Sequence, residues 1–149
     1  MWNREKSLIL SKMFIWIFLA LLIGFVLYAN VIVDNFVQYS RVELNAVKPF
    51  FVWTIYVGSI PAVVLLLSMQ KLLKCIEVGD VFTVLSVKYL RIISWTCFVG
   101  AIIALIGTTY YLPWLFVAIA AAFMGLVVRI LKNTFAQAVV LKEEADFTI

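Results

Sequence analysis

Histidine is absent from the 149 residues, and Asp, Glu, Lys and Arg together make up only 13% of them. The first absence removes the commonest general base and metal ligand. The second removes the water-facing shell of a soluble domain, in which about a quarter of residues are charged. Hydrophobic residues reach 66%, more apolar surface than a soluble domain of this size can hide. Cysteine is scarce too: Cys75 and Cys97 have no C-x-x-C partner, so neither a disulfide nor a zinc site is expected, and both read as small structural thiols. No basic stripe with interleaved aromatics accompanies the net charge of +4, which argues against direct nucleic-acid binding. What remains is a chain solvated by lipid: all-α, an integral membrane four-helix bundle.

Three uncharged stretches, the last of them split in two, place the four spans. Residues 13–33 are free of charge after a short basic start (Arg4, Lys6, Lys12). About 20 apolar residues at roughly 1.5 Å each cross a bilayer core of about 30 Å. A signal peptide has a shorter apolar core and an A-x-A-like site, so this segment is kept as the first span. A polar loop, residues 34–48, follows. Pro49 opens the second span, residues 49–70, with Trp53 and Tyr56 as interfacial anchors. A kink is expected at Pro61, with Ser59 nearby to satisfy the freed carbonyl. Residues 92–128 are uncharged, too long for one crossing. The cluster Thr108-Thr109-Tyr110-Tyr111-Leu112-Pro113-Trp114 splits them into a hairpin, with helices at about 92–109 and 112–131 and a tail over 132–149.

Of the twelve Lys and Arg residues, only Arg41 and Lys48 fall outside if the amino terminus is cytoplasmic. The positive-inside bias then puts both termini in the cytoplasm. Small residues four apart recur in every span (Ala20/Gly24, Gly58/Ala62, Gly100/Ala104, Ala118/Ala122 and Ala121/Gly125). They let helix backbones approach and favour a compact bundle; the same faces could serve a homodimer. No Asp, Glu, Lys, Arg or His lies within the uncharged runs, which speaks against a proton-coupled pump. The polar residues that remain there, Thr54, Ser59, Ser68, Ser94 and Thr96, read as glue between helices. A membrane enzyme would need a nucleophile with a base, or a metal, and neither can be assembled. No catalytic, metal or cofactor site is expected.

The specific local signals sit between the second and third spans, residues 70–91. Leu72, Leu73 and Ile76 against Lys71, Lys74 and Glu77 extend the second helix amphipathically to a Gly79-Asp80 turn. Thr83 fits an N-cap, with Phe82 before it and Val87 at the spacing of a hydrophobic staple. Phe82, Leu85 and Tyr89 share a face, and Lys88 and Arg91 can reach phosphate headgroups. The segment reads either as a cytoplasmic interfacial helix or as a docking surface for a cytoplasmic protein. In the tail, Ile130, Leu131, Phe135 and Ala138 continue an apolar helix face that should end near Glu143, Glu144 and Asp146, acids that oppose the dipole. Phe147-Thr148-Ile149 could enter a partner's groove or sheet edge.

The run Leu72-Leu73-Lys74 to Gly79-Asp80-Val81-Phe82-Thr83 to Leu90-Arg91-Ile92-Ile93, with the ending Lys142 to Ile149, resembles the DUF2975 family of small bacterial membrane proteins. Ala145 stands where that family's ending usually has Asn. The resemblance implies four membrane helices in the bacterial cytoplasmic membrane, no established activity, and a small cytoplasmic helix-turn-helix regulator as partner. Gly79, Asp80, Phe82, Thr83, Arg91, Glu144, Asp146, Thr148 and Ile149 are the candidate docking residues. The leading expectation is a non-enzymatic multi-pass protein that regulates through its cytoplasmic face. The alternative is a small transporter, channel or immunity-type protein acting within the bilayer, for which Pro61 and the polar residues of the second span would count.

Overall fold

In the computed structural model, which describes residues 3–147, five α-helices are joined by short turns. They are α1 (Arg4–Leu27), α2 (Ala29–Tyr39), α3 (Lys48–Glu77), α4 (Val84–Gly107) and α5 (Trp114–Phe147). Four helical stretches are long and apolar enough to cross a membrane: α1, α3 with the turn before it, α4 and α5. Lipid cannot hydrogen-bond a backbone, so an uncharged run of this length satisfies its N–H and C=O groups within a helix. At about 1.5 Å per residue, α3 and α5 outreach the roughly 30 Å apolar layer and project beyond it.

The first apolar run does not form one rod. Tyr28 leaves helical geometry (φ −97°, ψ 13°) and divides α1 from α2. Three residues of α2, Ala29, Val33 and Val37, are buried at four-residue spacing. Val33 and Val37 form a core with Leu44 and Phe51, flanked by Val47, Val52 and Ile55. This period carries the helix on to Tyr39, so the first part of the expected loop over 34–48 is helical. Its charges pair instead: Lys48 at the start of α3 forms an ion pair with Asp34 of α2.

The spans pack in chain order. α1 lies on α3, α3 on α4 and α4 on α5, whereas α1 and α5 do not pack along their length. The four spans therefore form an open series rather than a closed ring. Only Ile15 of α1 is buried. The densest contact is the α4–α5 hairpin, where Ala101, Ala104 and Ala118 are buried. There the Ser94 hydroxyl donates to the Gly125 carbonyl at 2.9 Å. A methyl on Gly125 would lie 3.1 Å from the Phe98 ring, and one on Gly107 2.9 Å from the Trp114 side chain. By contrast, a methyl on Gly24, Gly58 or Gly100 meets nothing. The small-residue pattern thus marks close approach at Gly125 and Ala104, but its glycines in the first three spans face open space.

Two local expectations need correction. Proline at position 61 frees the Val57 carbonyl, yet the Ser59 hydroxyl donates to Tyr56 O at 2.6 Å, one residue earlier. And α4 runs unbroken from Val84 to Gly107, so the capped turn begins the third span itself. Between α3 and α4 no separate helix stands among the described residues.

At the end where α3 begins, Thr108 and Thr109 close α4 by donating to Leu105 O (2.6 Å) and Ile106 O (2.8 Å). Beyond them Tyr110 donates to Thr54 Oγ1 at 2.7 Å, and Phe36, Phe51, Tyr110 and Tyr111 form a cluster of rings with centroids 4.9–5.7 Å apart. Aromatic pairs at this spacing add to plain area burial.

Replacing Gly125 by Leu should destabilise the hairpin by about 2 kcal/mol, because the Phe98 ring must move. Gly24→Leu, in open space, should stay within about 0.5 kcal/mol of wild type. Reversible unfolding in mixed micelles, followed by circular dichroism, separates the two.

Candidate functional site

The start of α1, the end of α3, the start of α4 and the end of α5 meet at one end of the molecule. The corner between α3 and α4 organises them. α3 closes with Val78 N–H on Lys74 O (3.1 Å) and Gly79 N–H on Ile76 O (3.2 Å). Gly79 has φ +93°, the left-handed conformation that ends many helices and that a side chain resists. This reversal sets Asp80 outward and lets Val81 and Phe82 lead into the cap. Thr83 Oγ1 accepts the Ser86 N–H at 3.2 Å, and the two hydroxyls stand 3.1 Å apart. Ser86 is fully buried (0% exposed), so the cap is also the inner wall of the corner.

Three charged contacts converge on this turn. Arg4 Nη2 donates to Ile76 O at 3.0 Å, placing a cation at the negative end of the α3 dipole. Lys12 forms an ion pair with Glu77. Lys142, on the distal part of α5, donates to Asp80 Oδ1 at 2.8 Å. Hydrogen bonding and attraction to Asp80, with Asp146 adding to it, raise the Lys142 ammonium above the ordinary lysine range. One apolar contact joins them: the Phe82 ring meets Phe135 of α5 edge-on, centroids 5.2 Å apart. The Phe82 spacing to Val87 suggested a local staple; its ring reaches a residue distant in sequence.

The candidate docking residues therefore divide. Gly79, Asp80, Phe82 and Thr83 form the corner. Arg91 is exposed on α4, and Glu144 and Asp146 are exposed on the last turns of α5. Thr148 and Ile149 lie outside the described residues. α5 is helical through Glu143, Glu144 and Asp146 to Phe147, the last described residue, one residue past the acids near which its end is expected. Lys142, one turn before Asp146, supplies positive charge among those acids. Sequence reading missed Arg4, Lys12, Glu77, Phe135 and Lys142 as partners. Each was visible as a charge or a ring, but the pairs span 72, 65 and 62 residues for Arg4–Ile76, Lys12–Glu77 and Lys142–Asp80, and no local pattern announces them. Deeper along α4, Leu90, Ile93 and Val128 make a small core that Leu65, Leu72, Cys97 and Phe135 complete. It ties the corner to the spans.

Among the described residues no group of three or more His, Cys, Asp or Glu could hold a metal. The arrangement can clasp a helix and present exposed charge and rings. The family model described as "Protein of unknown function (DUF2975)" matches residues 37–149. No curated protein and no solved structure is matched by the chain.

Neutralising the clasp should loosen the end of α5. Lys142→Met or Phe135→Ala should speed amide hydrogen exchange across residues 136–147 several-fold, with α4 unaffected. Salt of about 1 M should reproduce the Lys142 effect and not the Phe135 effect, since exposed ion pairs are screened. The pH sign follows from the raised lysine. Its contribution is whole below the ordinary lysine value, about 10.4, and is lost only as pH rises through the raised one. Protection corrected for intrinsic rates should thus be flat from about pH 7 to 9.

Proposed function

The chain belongs to the DUF2975 family of proteins of unknown function, and from that premise we propose that it is a non-catalytic membrane platform whose corner docks a cytoplasmic protein. The observation that carries this reading is the clasp of α5 on the corner. Phe135 against Phe82 and Lys142 on Asp80 bring both segments with specific local sequence to a single surface. Phe82 is 43% exposed, and Glu144 and Asp146 are exposed on the last turns of α5.

Orientation is part of the proposal. Arg4, Lys6, Lys12, Lys71, Lys74, Lys88, Arg91, Arg129, Lys132 and Lys142 belong to the segments at the corner's end, against Arg41 and Lys48 at the other. Under the positive-inside bias the corner faces the cytoplasm of a bacterial cell, together with the start of α1 and the end of α5. The partner is a small helix-turn-helix regulator, as the family resemblance implies. Tethering such a protein at a membrane would withdraw it from its operator, and displacement of the α5 end would alter the tether. The uncharged spans give a transport mechanism no ionisable group to work with.

Crosslinking in native membranes tests the proposal. A photoreactive residue in place of Leu141, on the exposed side of the clasp, should trap a specific soluble protein from the cytoplasm. Phe82→Ala and Asp146→Asn should each lower the yield at least five-fold while the protein stays in the membrane. Equal yields from both variants and wild type would remove the corner as the docking surface.

A further inference from the structure

Beside the docking corner, on the flank of α3 and α4, lies an open groove of about 460 Å³ that shares only Asp80 with the clasp. Lys71, Lys74 and Val78 of α3 form one side, and Leu85 and Tyr89 of α4 the other, with Cys75 between. We propose that this groove is a binding site for an anionic phospholipid, with its phosphate between Lys71 and Lys74 and an acyl chain along the apolar wall.

Three observations converge on that occupant. The first is depth. The uncharged run of α3 ends at Gln70 and that of α4 begins at Ile92, so Lys71 and Tyr89 stand where the apolar layer gives way to headgroups. The second is charge. Lys71 and Lys74, three residues apart on one helix face, have no carboxylate partner among the ion pairs of the described residues. Lys71 Nζ rests 5.9 Å from the centre of the Tyr89 ring, a contact that positions the ammonium without neutralising it. The one acid on the groove, Asp80, is held by Lys142, which compensates its charge. The third is shape. Val78 and Leu85 are largely exposed along a groove open to the side, which suits a molecule with a charged head and an apolar tail. A free anion would leave that wall bare. Basic pockets between membrane helices at the headgroup level are suited to such lipids.

This site does not depend on the docking proposal, because neither lysine belongs to the clasp. Native mass spectrometry of the full chain, released from micelles containing phosphatidylglycerol and phosphatidylcholine, counts retained lipids. Wild type should retain one phosphatidylglycerol in preference to phosphatidylcholine. Lys71→Gln and Lys74→Gln should each weaken retention about five-fold, and the double arginine variant should keep it. Lys132→Gln, which removes the same charge elsewhere, should leave it unchanged. An equal loss with Lys132→Gln, or no loss in the double Gln variant, overturns the proposal. So does displacement by millimolar inorganic phosphate, which would make the groove a free-anion site. A readout independent of variants guards against misfolding. A phosphatidylglycerol with a photoreactive acyl chain should label wild type within residues 71–89, and labelling spread evenly over the spans refutes the site.

Discussion

In hydrocarbon no water waits to accept a backbone proton, and this single constraint shapes the molecule. Every crossing segment closes its own hydrogen bonds, so α3 remains helical through Pro61 and α4 continues past its cap without a break. Because lipid is as apolar as leucine, burying more leucine between helices gains little. Cohesion falls to close approach and to a few polar contacts. The α4–α5 hairpin has both: the Ser94 hydroxyl on the Gly125 carbonyl and the Phe98 ring across the same glycine. α1, with one buried residue, has neither along most of its length, and is held where it leaves the apolar layer.

That division explains why the specific chemistry gathers at the ends. At one end, rings and the Lys48–Asp34 pair tie α2 to α3 and the hairpin turn. At the other, Arg4 and Lys12 of α1 and Lys142 of α5 reach the α3–α4 corner. Exposed ion pairs contribute little individually, typically under about 1 kcal/mol. Their value here is positional: they select where the ends of α1 and α5 rest, while helix formation supplies the stability.

Much of this was legible in the chain. Uncharged run lengths place the four crossings, and Thr83 identifies its own cap, because both signals are local and strong. The α1–α2 elbow was not legible, since Tyr28 is neither Gly nor Pro and the period Ala29, Val33, Val37 continues an apolar run into apparently polar sequence. Small-residue spacing misled for the opposite reason. It is a necessary feature of close packing but says nothing about which face has a neighbour, and Gly24 and Gly58 have none. Phe82 was recognisable as a corner residue, but its partner Phe135 lies on another helix. The candidate site was thus half readable: its turn chemistry is written locally, and the pairs that assemble it become apparent only when α5 folds back.

The proposed docking corner and the proposed lipid groove meet at Asp80. With Lys142 in place, its carboxylate is compensated and the groove presents two cations to lipid. Drawing the α5 end away uncovers that carboxylate beside the same groove, where a negative charge opposes a phosphate. Any ligand that binds the displaced form of α5 therefore disfavours anionic lipid, and by linkage anionic lipid disfavours that ligand to the same degree. The coupling needs no pathway through the spans, because one side chain belongs to both surfaces. Its size is bounded by the interaction of a single exposed carboxylate with a nearby phosphate, about 1 kcal/mol or less in headgroup-level dielectric. A coupling that small adjusts occupancy a few-fold and does not act as an all-or-none switch.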